Sequence, residues 1–204
     1  MASFLEALGV HPRVRRFFKN YISETCEALI IEQDNYFEHA GESFHRIPIT
    51  EATWTAGDHG LASHIFICGS AMDAIAWLHL NHFRFRSFDH LLFISTGAVP
   101  NSNLNDAAPL QNNTQNKKIH LLYSNEPLGA ICDIKMASFI RKFPIKIRAN
   151  ENDFIVTFRS ESYTIKNLSL HSLEKAARFH FNIRTHKPKK HTTFYEQLKH
   201  RHRT

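Results

Sequence analysis

The segment His64-Ile65-Phe66-Ile67-Cys68-Gly69-Ser70-Ala71-Met72-Asp73 joins a short apolar run to an apolar helical stretch through two small residues. α/β proteins commonly build their sites where a strand ends and a helix opens in this way. A catalytic acid would stand at the end of the strand, as a metal ligand or a proton carrier. Gly69 occupies that position, and the nearest acid, Asp73, lies inside the helix. The second set of residues with chemical potential is cationic. Arg13, Arg15, Arg16 and Lys19 cluster near the start. Arg184, Lys187, Lys189, Lys190, Lys199, Arg201 and Arg203 crowd the end, where Glu196 is the only acid. Such clusters attract polyanions. Phe194 and Tyr195, with Phe179, His180 and Phe181 nearby, add the rings that single strands favour beside cations. The plainer readings are a solvated charged face and, for Phe179 and Phe181, a cap on the core.

Other chemistries find little support. Fifteen histidines are present, but none falls in an HExxH or paired Cys/His spacing. His79 and His82 are three apart and could share a helix face; His191, His200 and His202 sit among cations, which disfavours a metal. Cys26, Cys68 and Cys132 lie too far apart for a zinc ribbon or disulfide framework, which fits a reducing cytoplasm. With seven glycines there is no glycine-rich phosphate loop, and no nucleophile elbow is visible. The longest apolar region, Ile65 to Leu80, is interrupted by Asp73 and too short to span a bilayer. A cytoplasmic location and no membrane partner are therefore expected.

The elements that must position these residues follow from periodicity. The chain has 204 residues, 43% hydrophobic and 22% charged, with a net charge of +6, which suits one domain with appendages. Val14, Phe17, Phe18 and Tyr21 follow Pro12 at helical spacing and predict an N-terminal helix with a basic outer face. Glu42–Ile49 reads as a strand or extended segment, and Thr55–Gly60 as a loop. Ile65–Cys68, Leu91–Ile94, Ile119–Tyr123 and Ile145–Ile147 read as strands. A helix follows Ser70, and another carries Met136, Phe139, Ile140 and Phe143 until Pro144 ends it. Asn101–Lys118, rich in Asn and Gln, reads as an exposed loop. Asp153–Phe158 and Ser162–Ile165 predict a hairpin, and Leu170–Phe181 a helix. This alternation implies an α/β fold with a mostly parallel four-stranded sheet flanked by helices. An N-terminal helical lead-in and a C-terminal hairpin plus helix complete it. The expected divisions are 1–62, 63–150, 151–184 and a basic tail, 185–204.

The order and spacing over Ser63–Ala149 resemble the Toprim domain of primases, topoisomerases and related nucleases, and most of all the Toprim-like proteins of bacterial mobile elements. In that family the first strand ends in Glu, followed by a small residue and, four positions on, an Asp. Ser70, Asp73 and the apolar frame match, while the Glu position is Gly69. Ser95-Thr96-Gly97 resembles the second strand's Thr-Gly turn. The third strand normally ends in Asp-x-Asp with a Gly beyond; here these are Ser124, Glu126 and Gly129.

The resemblance implies magnesium-assisted phosphodiester chemistry, which needs carboxylate oxygens. Gly69 and Ser124 remove two of the three expected carboxylates, so no catalytic residue is expected among Gly69, Ser124 and Glu126. The expected function is a non-catalytic Toprim-like module without a cofactor. It would bind single-stranded DNA or RNA, or a partner protein, in DNA replication or mobile-element maintenance. Arg13, Arg15, Arg16, Lys189, Lys190, Lys199 and Arg201 would carry the nucleic acid. One alternative is a residual nuclease or primase-type enzyme holding Mg2+ on Asp73 and Glu126, joined by Asp133. Another is an interaction scaffold that uses the old cleft as a docking surface. The plainer reading is that Asp73 stabilises a helix N-terminus while Glu126 and Asp133 are surface acids.

Overall fold

The computed structural model describes residues 2–98, 116–151 and 153–201. Most of the expected Asn101–Lys118 loop lies outside the described residues, as do His202 and Arg203. The chain opens with two short helices, α1 (Phe4–Ala7) and α2 (Pro12–Phe18), the second with proline at its first position. Residues that carry no helical period then build an antiparallel sheet of β1 (Ser23–Glu24), β2 (Ala28–Gln33), β3 (Tyr36–Gly41) and β4 (His45–Arg46). Gln33 pairs with Tyr36, so Asp34 and Asn35 alone make the turn. Asp34 takes a φ of 53°, a left-handed conformation that Asp tolerates better than most residues.

The central sheet contains β5 (Trp54–Ala56), β6 (His64–Cys68), β7 (Leu91–Ser95), β8 (Lys118–Leu121) and β12 (Arg184–Thr185), in the order β12-β8-β6-β7-β5. Helix α3 (Ala71–Asn81) returns from β6 toward the opposite edge of the sheet, and α4 (Pro127–Arg141) follows β8. Strand β5, expected as loop, runs antiparallel to β7 at the edge. A third sheet holds β9 (Ile145–Asn150), β10 (Asp153–Phe158) and β11 (Glu161–Ile165), all antiparallel. The expected hairpin forms here, with Arg159 and Ser160 at positive φ in its turn. Helices α5 (Leu170–Ala177), opened by a Ser169–Ser172 capping box, and α6 (Phe194–Arg201) complete the described chain.

The expected mostly parallel four-stranded sheet is therefore incorrect. Three sheets are present among the described residues, two of them wholly antiparallel, with six helices. Ile145–Ile147 is not a fourth parallel strand of the central sheet. The α4 crossover would have allowed parallel pairing, but β9 pairs antiparallel with β10, from Asn150 opposite Asp153 to Ile145 opposite Phe158. The two-residue β12 takes the edge beside β8 instead. The N-terminal lead-in likewise proves to be mainly sheet.

Side-chain alternation on the central strands sends apolar groups to both faces. Phe66, Cys68, Leu91 and Phe93 join a core with α2, α3, α6 and β2. Ile65, Ile67, Leu92 and Ile94 join a second core with α4, α5 and the third sheet. Continuous apolar strands are legible for this reason: they are covered on both sides.

Candidate functional site

The C-terminal ends of β6, β7 and β8 are where an α/β fold would place its chemistry, and here they are closed over. A Cβ at Gly69 would lie 3.3 Å from the Gly97 carbonyl oxygen and 3.5 Å from the Tyr123 ring. Tyr123 is buried, and its hydroxyl lies 3.0 Å from Thr96 Oγ1. Burial pushes its phenol well above the usual range, against the Thr96 hydrogen bond. Ala98 N–H donates to the Pro48 carbonyl, 3.1 Å away, and Gly97, at φ 74°, lies so close that a Cβ would meet the Pro48 oxygen at 2.8 Å. A side chain at position 69 would start tight against the Gly97 carbonyl oxygen and in ordinary contact with Tyr123.

A carboxylate does reach the helix start, from a position that the sequence motifs do not mark. Glu38 on β3 is fully buried and accepts from Ser70 Oγ at 2.7 Å, Ala71 N–H at 2.8 Å and Met72 N–H at 3.0 Å. His45 Nε2 stands 2.9 Å from the same carboxylate and 3.2 Å from Ser70 Oγ. In an activating Ser–His–acid relay the acid holds the imidazole nitrogen opposite the serine. Here both meet one nitrogen, and Ser70 Oγ also accepts the Asp73 N–H, so Ser70 and Glu38 cap α3. The free N–H groups that make a helix start an anion site are filled by the chain itself.

The predicted acids do not converge. Asp73 is buried in the first turn of α3, where Oδ1 accepts the Tyr195 N–H at 2.8 Å and fixes the start of α6. Burial raises its carboxyl to about 6, opposed by that N–H. Asp133 on α4 is buried beside Lys187, whose Nζ lies 2.7 Å from Oδ2. The same ammonium donates to the carbonyl oxygens of Ser124 at 2.8 Å and Tyr123 at 3.2 Å. Burial raises Asp133 to about 6, with Lys187 pulling it down. Glu126, exposed, precedes the first residue of α4. The oxygens after β8 that a magnesium ion would use are thus gathered on a lysine, and Asp73 is committed to another helix. The Mg2+ set of the alternative enzyme reading, Asp73 and Glu126 joined by Asp133, does not fit a metal. Among the described residues no group of three or more His, Cys, Asp and Glu side chains could hold one.

Three histidines missed by spacing line up across adjacent strands. His64 Nδ1 lies 3.0 Å from His120 Nε2, and His120 Nδ1 lies 2.9 Å from His186 Nε2. Burial depresses His120 to about 3, helped by the neighbouring His186 and His64 imidazoles, and His186 to about 4, helped by Arg84 and Arg184. Their nitrogens bond to one another. Parallel pairing of β6, β8 and β12 was the only signal that could have joined them.

The predicted cations divide. Arg15 pairs with Glu6 at 3.3 Å, Lys199 lies over the Tyr195 ring at 4.5 Å, and half-buried Lys187 is held by Asp133. Arg13 donates to the Arg86 carbonyl at 2.7 Å and covers the Phe88 ring at 4.6 Å; Arg16 is exposed. Lys189, Lys190 and Arg201 line a hollow of about 350 Å³ with His191, His200 and Leu80. Phe194, Tyr195 and Phe181 are buried, so the rings expected to stack on bases belong to the cores. An unanticipated ring takes their place. Phe83 is 72% exposed in the 3-10 turn His82–Arg84 that closes α3, with Arg84 beside it at 5.8 Å. His11, at the start of α2, stacks on His82 at 4.1 Å, and its N–H donates to His79 Nδ1. The last turn of α3 is therefore met by α2 at His79 and by the basic hollow at Leu80. Both ends of the chain deliver cations to it. The chain matches no family model, and no curated protein or solved structure matches it. No described helix is long and apolar enough to cross a membrane.

Proposed function

We propose that this chain is a non-catalytic module that binds single-stranded nucleic acid on the basic rim around the last turn of α3. Phe83, exposed beside Arg84 in the turn that follows α3, carries the reading, with the Lys189–Lys190 hollow reaching the same helix at Leu80. An exposed ring costs hydrophobic free energy unless something covers it, and a nucleobase stacks on any flat ring. Arg84, Arg86, Lys189, Lys190 and Arg201 supply exposed or hollow-lining charge for phosphates. The Toprim resemblance is retained as a proposal on Ser70, Asp73, Thr96 and Gly129, and with it a role in DNA replication or mobile-element maintenance. The test is fluorescence anisotropy with a labelled single-stranded oligonucleotide across a salt series. Affinity should fall by a log–log slope of about 0.7 per phosphate neutralised, and Phe83→Ala together with Lys189→Glu/Lys190→Glu should remove it. Absence of binding at low salt would defeat the proposal.

A further inference from the structure

A cleft of about 380 Å³ lies between the start of α4 and the segment Lys166–His171, and it shares no lining residue with the basic hollow. Asp133 and Lys187 line it. Asp133 is 1% exposed, and its Oδ1 has no hydrogen-bond partner among the described residues, while Oδ2 is held by Lys187. A buried carboxylate oxygen without a donor costs a full desolvation penalty, so such an atom marks a place where a donor is expected. Lys187 cannot supply it: its three hydrogens face Asp133 Oδ2 and the Tyr123 and Ser124 carbonyls. No other described group supplies it, and because Asp133 lines the cleft, a molecule bound there can.

The rest of the lining narrows its chemistry. Phe154 and Leu168 give the cleft an apolar side, which suits a flat or apolar body. Lys166 and His171 are exposed at its edge and suit an anion. A second ammonium on Asp133 would crowd Lys187, so the donor is a neutral N–H. We infer that this cleft binds a nucleotide, with an amine-bearing base giving its N–H to Asp133 Oδ1 and its phosphate held by Lys166 and His171. This site is separate from the rim and does not depend on the function proposed above. The nucleotide could be free or the end of a strand, since the recognised chemistry is the same.

The test is a chemical-shift titration of the intact protein with adenosine 5′-monophosphate. Purine riboside 5′-monophosphate, which lacks both the exocyclic amine and any ring N–H, is the comparison, and a 5′-phosphorylated deoxyadenosine oligonucleotide the second arm. Adenosine monophosphate should perturb the amides of Asn125, Phe154 and Lys166 and bind about tenfold more tightly than the amine-free analogue. Lys166→Ala, an exposed change that spares the fold, should weaken it severalfold. The oligonucleotide moving the same amides with higher affinity than the mononucleotide would assign the site to strand ends; weaker binding would assign it to free nucleotides. No shift at millimolar nucleotide, equal affinity for the two monophosphates, or perturbations confined to the Phe83 rim would overturn the inference.

Discussion

Removing the charge from Glu38 tests whether the cap on α3 is what joins the N-terminal sheet to the central one. In Glu38→Gln the side chain keeps its shape and one acceptor oxygen, but an NH2 group then faces donors. Four contacts of 2.7 to 3.0 Å are at stake, from Ser70 Oγ, Ala71 N–H, Met72 N–H and His45 Nε2. Hydrogen bonds to a charged group contribute about 1.5–3 kcal/mol each, but contacts sharing one carboxylate do not add. Breaking a buried charged network by one partner costs about 3–5 kcal/mol, and this is the expected loss. For a chain of this length it corresponds to a fall in Tm of roughly 6–20 °C. Urea and thermal denaturation followed by circular dichroism would measure it. Glu32→Gln, exposed on the neighbouring strand, is the control and should stay within about 0.5 kcal/mol of the parent. His45→Ala should cost less in the Glu38→Gln background than alone, because the two share the contact. A Glu38→Gln loss under about 1 kcal/mol would refute the reasoning, since a typical hydrogen bond alone contributes that much.

The remaining predictions concern charge, packing and binding. Asp73→Asn retains an acceptor for the Tyr195 N–H while removing the buried charge, so stability at pH 7 should hold or rise in a urea titration. Between pH 6 and 4, Asp73 and Asp133 take up protons in the folded state first, because their carboxyls rise to about 6 from 3.8, which favours folding as pH falls. Over the same range His120 and His186 take up protons only on unfolding, because they fall to about 3 and 4 from 6.5, which opposes folding as pH falls. These effects offset, so stability should vary little with pH in the parent and drop steeply with acid in Asp73→Asn, measured by denaturation across that range. Gly69→Glu should destabilise by about 1–3 kcal/mol through its tight approach to the Gly97 carbonyl oxygen and create no metal-dependent cleavage of a labelled oligonucleotide. Phe83→Ala should weaken single-strand binding by about 1–3 kcal/mol at constant stability, read by anisotropy beside a melting curve.

Legibility in the sequence followed the range of the interactions involved. Ser70 as a cap, the run Ile65–Cys68 and the hairpin at 153–165 depend on neighbours within a few residues, and all three form. Strand partners do not announce themselves in the same way. Ile145–Ile147 is an apolar–polar–apolar run that suits either sheet, and its antiparallel pairing with the Asp153–Phe158 strand decides between them. The β2–β3 hairpin turns on Asp34-Asn35 without a glycine, so its strongest local signal is missing. Glu38 could have been suspected from period-two alternation, since it shares the buried face of β3 with Ala40. Lys187 lies among the surface cations in sequence, and only the fold brings its ammonium to the buried Asp133.

The distribution of partners explains why the two edges of the central sheet differ. At the C-terminal edge each charged or strongly polar group meets a partner from a distant segment: Glu38 with the start of α3, Asp73 with α6, Lys187 with Asp133. Such groups are costly to bury singly and are stabilised in place by their partners, so they form a clasp rather than a reactive site. The last turn of α3 points the other way. A helix C-terminus favours cations by about 0.3–1 kcal/mol each within its final turn, which accounts for Arg84 just beyond it. It does not account for Lys189, Lys190 and Arg201, which come from a separate segment and repel one another around Leu80. Nor does it account for Phe83, whose ring is left in solvent. Mutual repulsion and an exposed ring are both relieved by one kind of occupant, a chain of phosphates carrying flat bases, and this pairing of charge with aromatic surface carries more weight than the net charge of +6 taken alone.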